Sequence, residues 1–238
     1  MPVRPQRLVV VVGTGTGIGK TWTSARLLTT LRAAGVTVAA RKPAQSFDPG
    51  DDPAGLDAAV LGAATGEPSE TVCLPHRWYP VAMAPPMAAD VLGRDRITVA
   101  ELTEELTWPA NGVAVGLVET AGGVRSPQTH DSDAVALIAA LDPDVILLVA
   151  DAGLGTINAV RLSVGALAGP GAPDPGKTGP GGVTRAHLIV ALNHFNGSDN
   201  LHRRNRNWLV EQDNLTVVVL PGEEEALAAL VRGTSAAP

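Results

Sequence analysis

Short apolar segments recur along the chain and are separated by longer segments with a helical pattern. Six of them run for five to seven residues with few polar positions, at 8–12, 36–40, 112–118, 145–150, 186–192 and 215–220. Apolar runs of this kind are typical of strands in a parallel sheet that is covered on both faces. We therefore predict six strands at these positions.

The segments between the predicted strands carry helix signals. Leu27, Leu28 and Leu31 form an apolar stripe at helical spacing, and Thr98 with Glu101 has the spacing of a capping box. We predict helices from 21 to the glycine at 35 and over 54–64, 97–107, 133–141, 158–167 and 201–212. Residues 43–53 are predicted to be a loop, and the proline-rich segment 65–96 is predicted to be irregular.

Strands that alternate with helices predict an α/β fold of the P-loop NTPase type. The predicted sheet is mostly parallel, has about six to seven strands and carries helices on both faces. We assign residues 1–232 to a single domain and expect 233–238 to be a disordered tail. Ligands of such sheets bind outside the carboxyl ends of the strands, so candidate site residues are expected there.

Composition narrows the possible partners. Hydrophobic residues make up 45% of the chain and aromatic residues 3%, and the formal net charge is −6. A net acidic chain disfavours nucleic acid and acidic membranes as partners. Cys73 is the single cysteine, which excludes an intrachain disulfide, and we interpret it as a buried free thiol. The first apolar segment is too short for a secretion signal or a membrane span, so we expect a cytoplasmic protein.

The phosphate-loop pattern Gly-x-x-x-x-Gly-Lys-Ser/Thr occurs in full once, at Gly171–Thr178. No predicted strand precedes it, and Pro173 and Pro175 lack the backbone N–H donors that a phosphate cradle needs. Pro180 stands where a helix should begin. We therefore interpret residues 169–182 as a proline- and glycine-rich surface loop without a role in the chemistry.

A second, imperfect match follows the first predicted strand. It reads Gly13-Thr-Gly-Thr-Gly-Ile-Gly-Lys20-Thr21, with Thr14 in place of the first glycine. The order of strand, glycine-rich turn and helix is the one that phosphate binding needs, because backbone N–H groups and the helix N-terminus attract phosphate oxygens. Lys20 is expected to reach the β and γ phosphates and Thr21 to hold Mg²⁺. The predicted nucleotide-binding residues of this loop are Gly15, Thr16, Gly17, Ile18, Gly19, Lys20 and Thr21.

A loop that begins with threonine resembles the P-loop of the dethiobiotin synthetase family. Further motifs of that family follow in the same order, namely Lys42-Pro43 with Ser46, Asp57, Glu119-Thr-Ala-Gly122-Gly123, Leu154-Gly155-Thr-Ile-Asn158, and Asn193 after the fifth strand. Together the matches span roughly residues 8–222, and their joint order is more specific than any one motif.

The resemblance implies ATP-dependent carboxylation and ring closure of 7,8-diaminononanoate with CO2, through a carbamate and a carbamic-phosphoric anhydride. It implies catalytic roles for Lys20, Lys42 and Thr16, and Mg²⁺ ligands at Thr21, Asp57 and Glu119. The implied substrate-binding residues are Thr16, Lys42, Ser46, Gly122, Gly123, Gly155, Thr156 and Asn158. Asn193 and Pro221 are implied to contact the nucleotide, whose base the sequence leaves open.

The resemblance also implies a homodimer with a shared substrate site. In such a dimer the carboxylate tail of the substrate reaches Gly155–Asn158 of the partner subunit. The local sequence permits this, because Gly155 favours a turn and a helix N-terminus with free N–H groups attracts a carboxylate. Thr156 or Asn158 is expected to cap the helix that follows.

Other interpretations stay open for single residues and for the whole chain. Asp57 could equally be an ordinary acidic residue in the first turn of a helix, without a role in metal binding. Asn193 could equally be one of several polar residues of a loop, without contact to the nucleotide. The rival classes are a partitioning-type P-loop ATPase, a cobyrinate-type amide ligase and a nucleotide-binding regulator without enzyme activity. The first normally has a lysine early in the P-loop, where this chain has Thr14 and Gly15. The second normally needs a glutaminase cysteine that Cys73 does not provide.

Two residues depart from the family pattern. Thr120 stands where glycine is common and has the bulk to narrow the space beside the substrate. Phe47 follows Ser46 where glycine is common, which favours a stiffer loop.

Overall fold

The six predicted strands form one parallel sheet. In the computed structural model, which describes residues 4–169 and 186–233, the strands are β1 (Arg7–Gly13), β2 (Val38–Arg41), β3 (Gln45–Ser46), β4 (Trp78–Tyr79), β5 (Val115–Gly123), β6 (Val145–Asp151), β7 (His187–Asn193) and β8 (Thr216–Val219). The main sheet has the order β2-β5-β1-β6-β7-β8, and β3 pairs with β4 in a separate small sheet. All of these pairs are parallel.

Helices cover both faces of the main sheet. They are α1 (Lys20–Ala33), α2 (Asp57–Thr65), α3 (Ser69–Val72), α4 (Pro85–Val91), α5 (Val99–Glu105), α6 (Ala134–Leu141), α7 (Thr156–Ala168), α8 (Asn200–Glu211) and α9 (Glu224–Arg232). Successive side chains of a strand point to opposite faces. In β1, Val9 and Val11 accordingly pack with leucines of α1, α2 and α9, while Val10 and Val12 pack with apolar residues of α6, α7 and α8. The predicted fold class is confirmed.

Several element boundaries differ from the prediction. The third strand was predicted at 112–118 but runs over Val115–Gly123, so the Glu119–Gly123 motif belongs to the end of β5 and does not follow it. The helix predicted at 54–64 begins at Asp57, after a 3-10 turn at Pro53–Gly55. The segment 65–96 contains α3, α4 and β4, and α9 was not predicted. The predicted capping box of Thr98 and Glu101 is present at the start of α5.

Some sequence predictions lie outside the described residues. These are the pattern match at 171–178, nearly all of the predicted loop at 169–182, and residues 234–238 of the predicted tail. Among the helices that the structure describes, none combines the length and the apolar character that crossing a bilayer requires.

The sheet order brings the sequence motifs together. β1 lies between β5 and β6, and β2 lies on the other side of β5. The carboxyl end of β1 leads into the P-loop, that of β2 leads into Lys42, and that of β5 carries the Glu119 motif. Parallel strands end at one edge of the sheet, so these three motifs meet there.

Candidate functional site

The P-loop is a glycine-rich turn between β1 and α1. Gly17 and Gly19 have φ angles of 75° and 86°, which only glycine adopts without strain. A Cβ atom added at Gly19 would lie 2.1 Å from Nδ2 of Asn193. This clash is a second reason why position 19 requires glycine. Asn193 in turn donates a hydrogen bond to the carbonyl of Ile18 at 2.9 Å. Asn193, at the end of β7, therefore contacts the P-loop and stabilises its conformation.

Lys20 is the first residue of α1 and is buried against the P-loop. Its ammonium donates to the carbonyl oxygen of Gly15 at 3.2 Å. Burial, and after it the positive charge of Lys42, lower the pKa of Lys20 to about 8, against the opposing effect of Glu119 and Asp57. An anion placed at the loop would raise this pKa, because it favours the charged form of the lysine.

Lys42 follows β2 and is almost fully buried between two carboxylates. Its ammonium lies 2.7 Å from Oδ2 of Asp57 and 2.9 Å from Oε1 of Glu119, and it also donates to the carbonyl of Thr120 at 3.3 Å. Burial alone would lower the pKa of Lys42, but the two carboxylates outweigh burial and hold that pKa above its usual value. Lys42 therefore stays charged at neutral pH.

Glu119 is fully buried and accepts hydrogen bonds from three side chains. Oε1 accepts from Thr21 at 2.8 Å as well as from Lys42, and Oε2 accepts from Ser24 at 2.7 Å. Thr21 also donates to Oδ1 of Asp57 at 2.7 Å in the structure. Of the three residues predicted as Mg²⁺ ligands, Thr21 thus lies within hydrogen-bond distance of both carboxylates.

Asp57 begins α2 and faces the cluster with a side chain that is 37% exposed. Its burial would raise the pKa of the carboxyl, but the charge and hydrogen bond of Lys42, with the hydroxyl of Thr21, hold the pKa below its usual value. The carboxylate is therefore ionised at neutral pH. Among the described residues no group of three or more His, Cys, Asp or Glu side chains is arranged to hold a metal. A metal here would bind two carboxylates, a hydroxyl and oxygens of a ligand.

A cavity of about 550 Å³ opens beside this cluster. The predicted site residues that line it are Thr16, Gly17, Gly19, Lys20, Thr21, Lys42, Ser46, Asp57 and Gly122. Its other lining residues, which the sequence analysis missed, are Gln45, Ala82, Met83, Ala84, Pro85, Ala121, Ser126 and Pro127. The cavity thus has a charged side at the P-loop and an apolar side at the start of α4.

Gly122 separates two hydroxyl groups at the cavity wall. It has a φ angle of 65°, and an added Cβ atom would lie 2.4 Å from Oγ of Ser126 and 3.6 Å from Oγ1 of Thr16. Oγ of Ser126 accepts a hydrogen bond from the N–H of Gly123 at 2.8 Å. A side chain at position 122 would therefore displace Ser126, which lines the cavity together with Thr16.

A second cleft, of about 580 Å³, lies between the P-loop and α7. It shares Thr16, Ser126 and Pro127 with the first cavity, so the two meet at these residues. Its remaining lining residues are Thr14, Gly15, Gly123, Val124, Arg125, Asn158, Ala159, Leu162, Ser163 and Ala166.

The segment 155–158 is only partly at this cleft. Asn158 lines it, whereas Gly155 and Thr156 line neither cavity in the described part of the chain. The prediction that Thr156 or Asn158 caps α7 is wrong. Gly155 occupies the N-cap position with a φ angle of 92°, and no side chain caps the helix, because Thr156 already has helical geometry. The buried hydroxyl of Thr156 has no hydrogen-bond partner among the described residues.

Pro221 lies near Asn193 at the same edge of the sheet. The N–H of Leu220 donates to the carbonyl of Leu192, and the N–H of Phe195 donates to the carbonyl of Leu220, both at 2.9 Å. These bonds hold the segment after β7 against the segment after β8. Pro221 is exposed on this edge.

The two departures from the family pattern have different consequences. Thr120 does not narrow the cavity, because its fully buried hydroxyl donates to the carbonyl of Val11 at 3.1 Å and its side chain points into the sheet. The N–H of Phe47 donates to the carbonyl of Tyr79 at 3.0 Å, which extends the small β3–β4 sheet by one bond.

A P-loop on a parallel sheet, with a buried lysine at the start of the following helix, defines a P-loop nucleotide-binding protein. Comparison with known proteins agrees: a family model described as an AAA domain matches residues 7–173. The ATP-dependent dethiobiotin synthetase BioD of Haloferax mediterranei is 36% identical and covers 89% of this chain and 82% of its own length. The chain belongs to the dethiobiotin synthetase family.

Two bacterial relatives carry the same name. That of Anaeromyxobacter dehalogenans is 39% identical, over 73% of this chain and 78% of the relative. That of a Caulobacter species is 40% identical, over 66% of this chain and 68% of the relative. These relatives favour the dethiobiotin synthetase interpretation over the partitioning ATPase and the amide ligase.

Proposed function

We propose that this protein catalyses the ATP-dependent carboxylation and ring closure of 7,8-diaminononanoate with CO2 to give dethiobiotin. The observation that carries the proposal is the meeting of Lys20 and Lys42 with the carboxylates of Asp57 and Glu119 beside a P-loop and a cavity of about 550 Å³. Membership of the dethiobiotin synthetase family supports the substrate assignment.

The proposed reaction has three steps. One amine of the substrate adds to CO2, which forms an N–C bond and, with loss of a proton, a carbamate. A carbamate oxygen attacks the γ phosphorus of ATP, and the bond from that phosphorus to ADP breaks. The second amine attacks the carbonyl carbon of the resulting anhydride, and phosphate leaves as the cyclic urea closes. No protein nucleophile is needed.

The lysines supply the positive charge that phosphoryl transfer needs. Lys20, on the P-loop, is placed for the phosphate oxygens, and Lys42 lines the same cavity. Thr16 and Ser46 line the same cavity, and their hydroxyl groups would hydrogen-bond the carbamate or phosphate oxygens. Catalysis in this account comes from positioning and from electrostatic stabilisation.

The donor set fits Mg²⁺. This ion prefers oxygen ligands and is usually bound by one or two carboxylates together with phosphate oxygens. Asp57 and Glu119 provide two carboxylates, and the hydroxyl of Thr21 lies 2.7 Å from the first and 2.8 Å from the second. These three residues would hold the ion, which when bound neutralises charge on the transferred phosphoryl group. Lys42, which pairs with both carboxylates in the structure, lines the same cavity and would face the substrate oxygens from there.

ATP is the nucleotide that the names of the relatives support. Gly15, Thr16, Gly17, Ile18 and Gly19 would supply the phosphate cradle before Lys20. Asn193 and Pro221 are proposed to contact the base. One amide N–H of Asn193 is used on the P-loop, so its oxygen and second N–H are the groups left for a base.

We further propose a homodimer that shares its substrate site. Leu154 and Leu162, at the start and in the middle of the α7 region, are 92% and 67% exposed. Apolar side chains of this size on one surface favour contact with another subunit. The free N–H groups at the start of α7 would bind the substrate carboxylate held by the other subunit. Gly155, Thr156 and Asn158 belong to this segment.

Three properties stay predictions from the sequence. They are the assignment of residues 1–232 to one domain, a cytoplasmic location, and the absence of nucleic-acid and membrane partners.

A coupled assay tests the proposed function. The protein is incubated with diaminononanoate, bicarbonate, Mg²⁺ and each nucleoside triphosphate in turn, and dethiobiotin and phosphate are measured. The proposal predicts that both products form in equal amounts and that both require the diamine. Nucleotide hydrolysis without dethiobiotin would contradict it, and the series of nucleotides gives the base preference.

A further inference from the structure

Gln45 is a buried polar residue of the cavity wall that the proposed mechanism does not use. It lies in β3 opposite Trp78 of β4, and its side chain is almost fully buried, with 2% of the residue exposed. Its Oε1 atom accepts a hydrogen bond from the N–H of Ala58 at 3.0 Å, in the first turn of α2. Because that partner is a donor, it must face the oxygen of the amide, which fixes the orientation of the side chain.

The amide nitrogen of Gln45 is left as a donor without an acceptor. This Nε2 atom has very little solvent-accessible surface and no hydrogen-bond partner among the described residues. Gln128, another buried glutamine near the site, shows the contrast. Its Oε1 accepts from Ala121, and its Nε2 donates to the carbonyls of Ala121 and Ser126. Gln128 thus has backbone partners at both ends of its amide, as a structural glutamine should, and Gln45 has one at its oxygen alone.

The nearby carboxylates do not use this donor. The oxygens of Glu119 accept from Thr21, Ser24 and Lys42. Those of Asp57 accept from Thr21 and Lys42. A donor that is buried at a cavity wall and unused by the protein indicates an acceptor on the ligand.

The position of Gln45 favours the organic substrate over the nucleotide. Phosphate oxygens are served by the P-loop amides and Lys20, which also line the cavity. Gln45 belongs to the wall that continues into Met83, Ala84 and Pro85, where apolar contacts suit a carbon chain. An oxygen carried by that chain within reach of the phosphate is the carbamate oxygen.

We propose that Gln45 is a substrate-binding residue whose amide nitrogen donates a hydrogen bond to a carbamate oxygen. This inference rests on the proposed function and adds a donor that recognises the carboxylated substrate and not the free diamine. A neutral amine offers no anionic oxygen, so the contact forms only after CO2 has added. Gln45 would then hold the carbamate in the orientation that directs its second oxygen to the γ phosphate.

Substitution with glutamate separates this role from the structural one. Gln45→Glu keeps an oxygen for the N–H of Ala58 but replaces the free donor with a negatively charged acceptor. We expect kcat/KM for the diamine to fall by about 10-fold to 100-fold, the range for a lost hydrogen bond to a charged group. The affinity for a non-hydrolysable ATP analogue, measured without diamine, should change by less than about twofold, because this contact is absent from that complex.

Two further variants serve as controls. Gln45→Met removes the donor without adding charge, and it should show a similar fall in kcat/KM with a lower melting temperature, because Ala58 loses its acceptor. Gln212→Glu makes the same change of charge at an exposed position at the end of α8 and should behave as the wild-type protein. Wild-type kcat/KM in both Gln45 variants would overturn the proposal. A fall in analogue affinity equal to the fall in kcat/KM would assign the donor to a phosphate oxygen and would overturn it as well.

A measurement on the wild-type protein does not depend on the variants folding. The side-chain amide signal of Gln45 can be followed by nitrogen-15 NMR and assigned by its absence in Gln45→Met or by its contacts to Ala58. It should shift when diamine and bicarbonate are added together and stay in place with diamine alone or the ATP analogue alone. An active enzyme whose signal does not move on carbamate formation would contradict this role alone. A wild-type protein that makes no dethiobiotin would instead contradict the proposed function.

Discussion

The ammonium of Lys42 lies 2.9 Å from Oε1 of Glu119, although the two residues are 77 positions apart in the chain and neither is exposed by more than 3%. A buried ion pair of this kind is costly to break, because removal of one partner leaves the other charge buried without compensation. The contact joins the end of β2 to the end of β5 and places a permanent positive charge beside the P-loop.

The first prediction concerns the two lysines. Lys20→Ala and Lys42→Ala should each lower turnover by at least about 100-fold, because each removes a positive charge from the transferring phosphoryl group. Steady-state turnover with saturating nucleotide measures the effect, and melting temperatures show whether each variant is folded.

Lys177→Ala is the matched control, since Lys177 belongs to the pattern match that the sequence analysis rejected as a phosphate loop. It should keep wild-type turnover. An inactive Lys177→Ala would mean that the wrong loop was assigned to phosphate, and near-wild-type activity in Lys42→Ala would remove Lys42 from the mechanism.

The second prediction concerns the metal. Glu119→Gln keeps the shape of the side chain but removes the charge that a hard divalent ion prefers. We expect turnover to need a higher Mg²⁺ concentration, while binding of the nucleotide without metal changes little. A Mg²⁺ titration of turnover for the variant and the wild type measures the shift.

Glu225→Gln, at an exposed position of α9, makes the same change away from the site and should leave the titration unaltered. Full activity of Glu119→Gln at low Mg²⁺ would instead assign Glu119 a structural role as the partner of Lys42 and Ser24.

The third prediction concerns Cys73. Burial raises the pKa of this thiol to about 12, against a usual value of 9.0. A raised thiol pKa means less of the reactive thiolate at pH 8, and the side chain is also 1% exposed. The folded protein should therefore react very slowly with a thiol reagent at pH 8, and the unfolded chain should react quickly with one equivalent. Rapid labelling of the folded, active enzyme would contradict this burial.

The fourth prediction concerns assembly. Light scattering at micromolar concentration should give twice the mass of one chain. Leu162→Glu should shift the protein toward monomer, because it places a charge in the proposed apolar contact. Val210→Glu, at a position of α8 that is 39% exposed, is the matched control and should remain dimeric. A wild-type monomer with full activity would exclude a shared site and leave the phosphate chemistry untouched.

A mixed dimer tests whether the site is shared. One subunit carries Lys20→Ala and the other carries a bulky side chain at Thr156. If each site combines the P-loop of one subunit with the start of α7 of the other, one of the two sites escapes both changes, and activity should recover to about half of the wild-type value. No recovery in a verified mixed dimer would place both segments in one subunit's own site.

The sequence was sufficient for those parts of the fold and site that depend on local patterns. Apolar runs predicted the six strands, and the strand before Gly13 with Lys20 after it predicted the glycine-rich turn between β1 and α1. α9 was missed because its nine residues follow directly on the Pro221-Gly222 turn, and so short a pattern is weak evidence for a helix.

Contacts between distant segments were beyond the sequence. The ion pairs of Lys42 depend on the strand order β2-β5-β1, which local periodicity does not specify. Thr120 illustrates the same limit, because only the pairing of β5 with β1 shows that its hydroxyl donates to the carbonyl of Val11. Gln45 precedes Ser46 in the sequence, but its proposed role depends on the hydrogen bond from the N–H of Ala58 to its Oε1 atom, which the sequence does not reveal.

Oxygen transfer tests the central claim most directly. If a carbamate oxygen attacks the γ phosphate, that oxygen leaves with the phosphate when the ring closes. With freshly dissolved oxygen-18 bicarbonate and unlabelled water, measured over the first turnovers, mass spectrometry should find one labelled oxygen in the released phosphate for each dethiobiotin formed. Unlabelled phosphate released alongside dethiobiotin would contradict the carbamic-phosphoric anhydride.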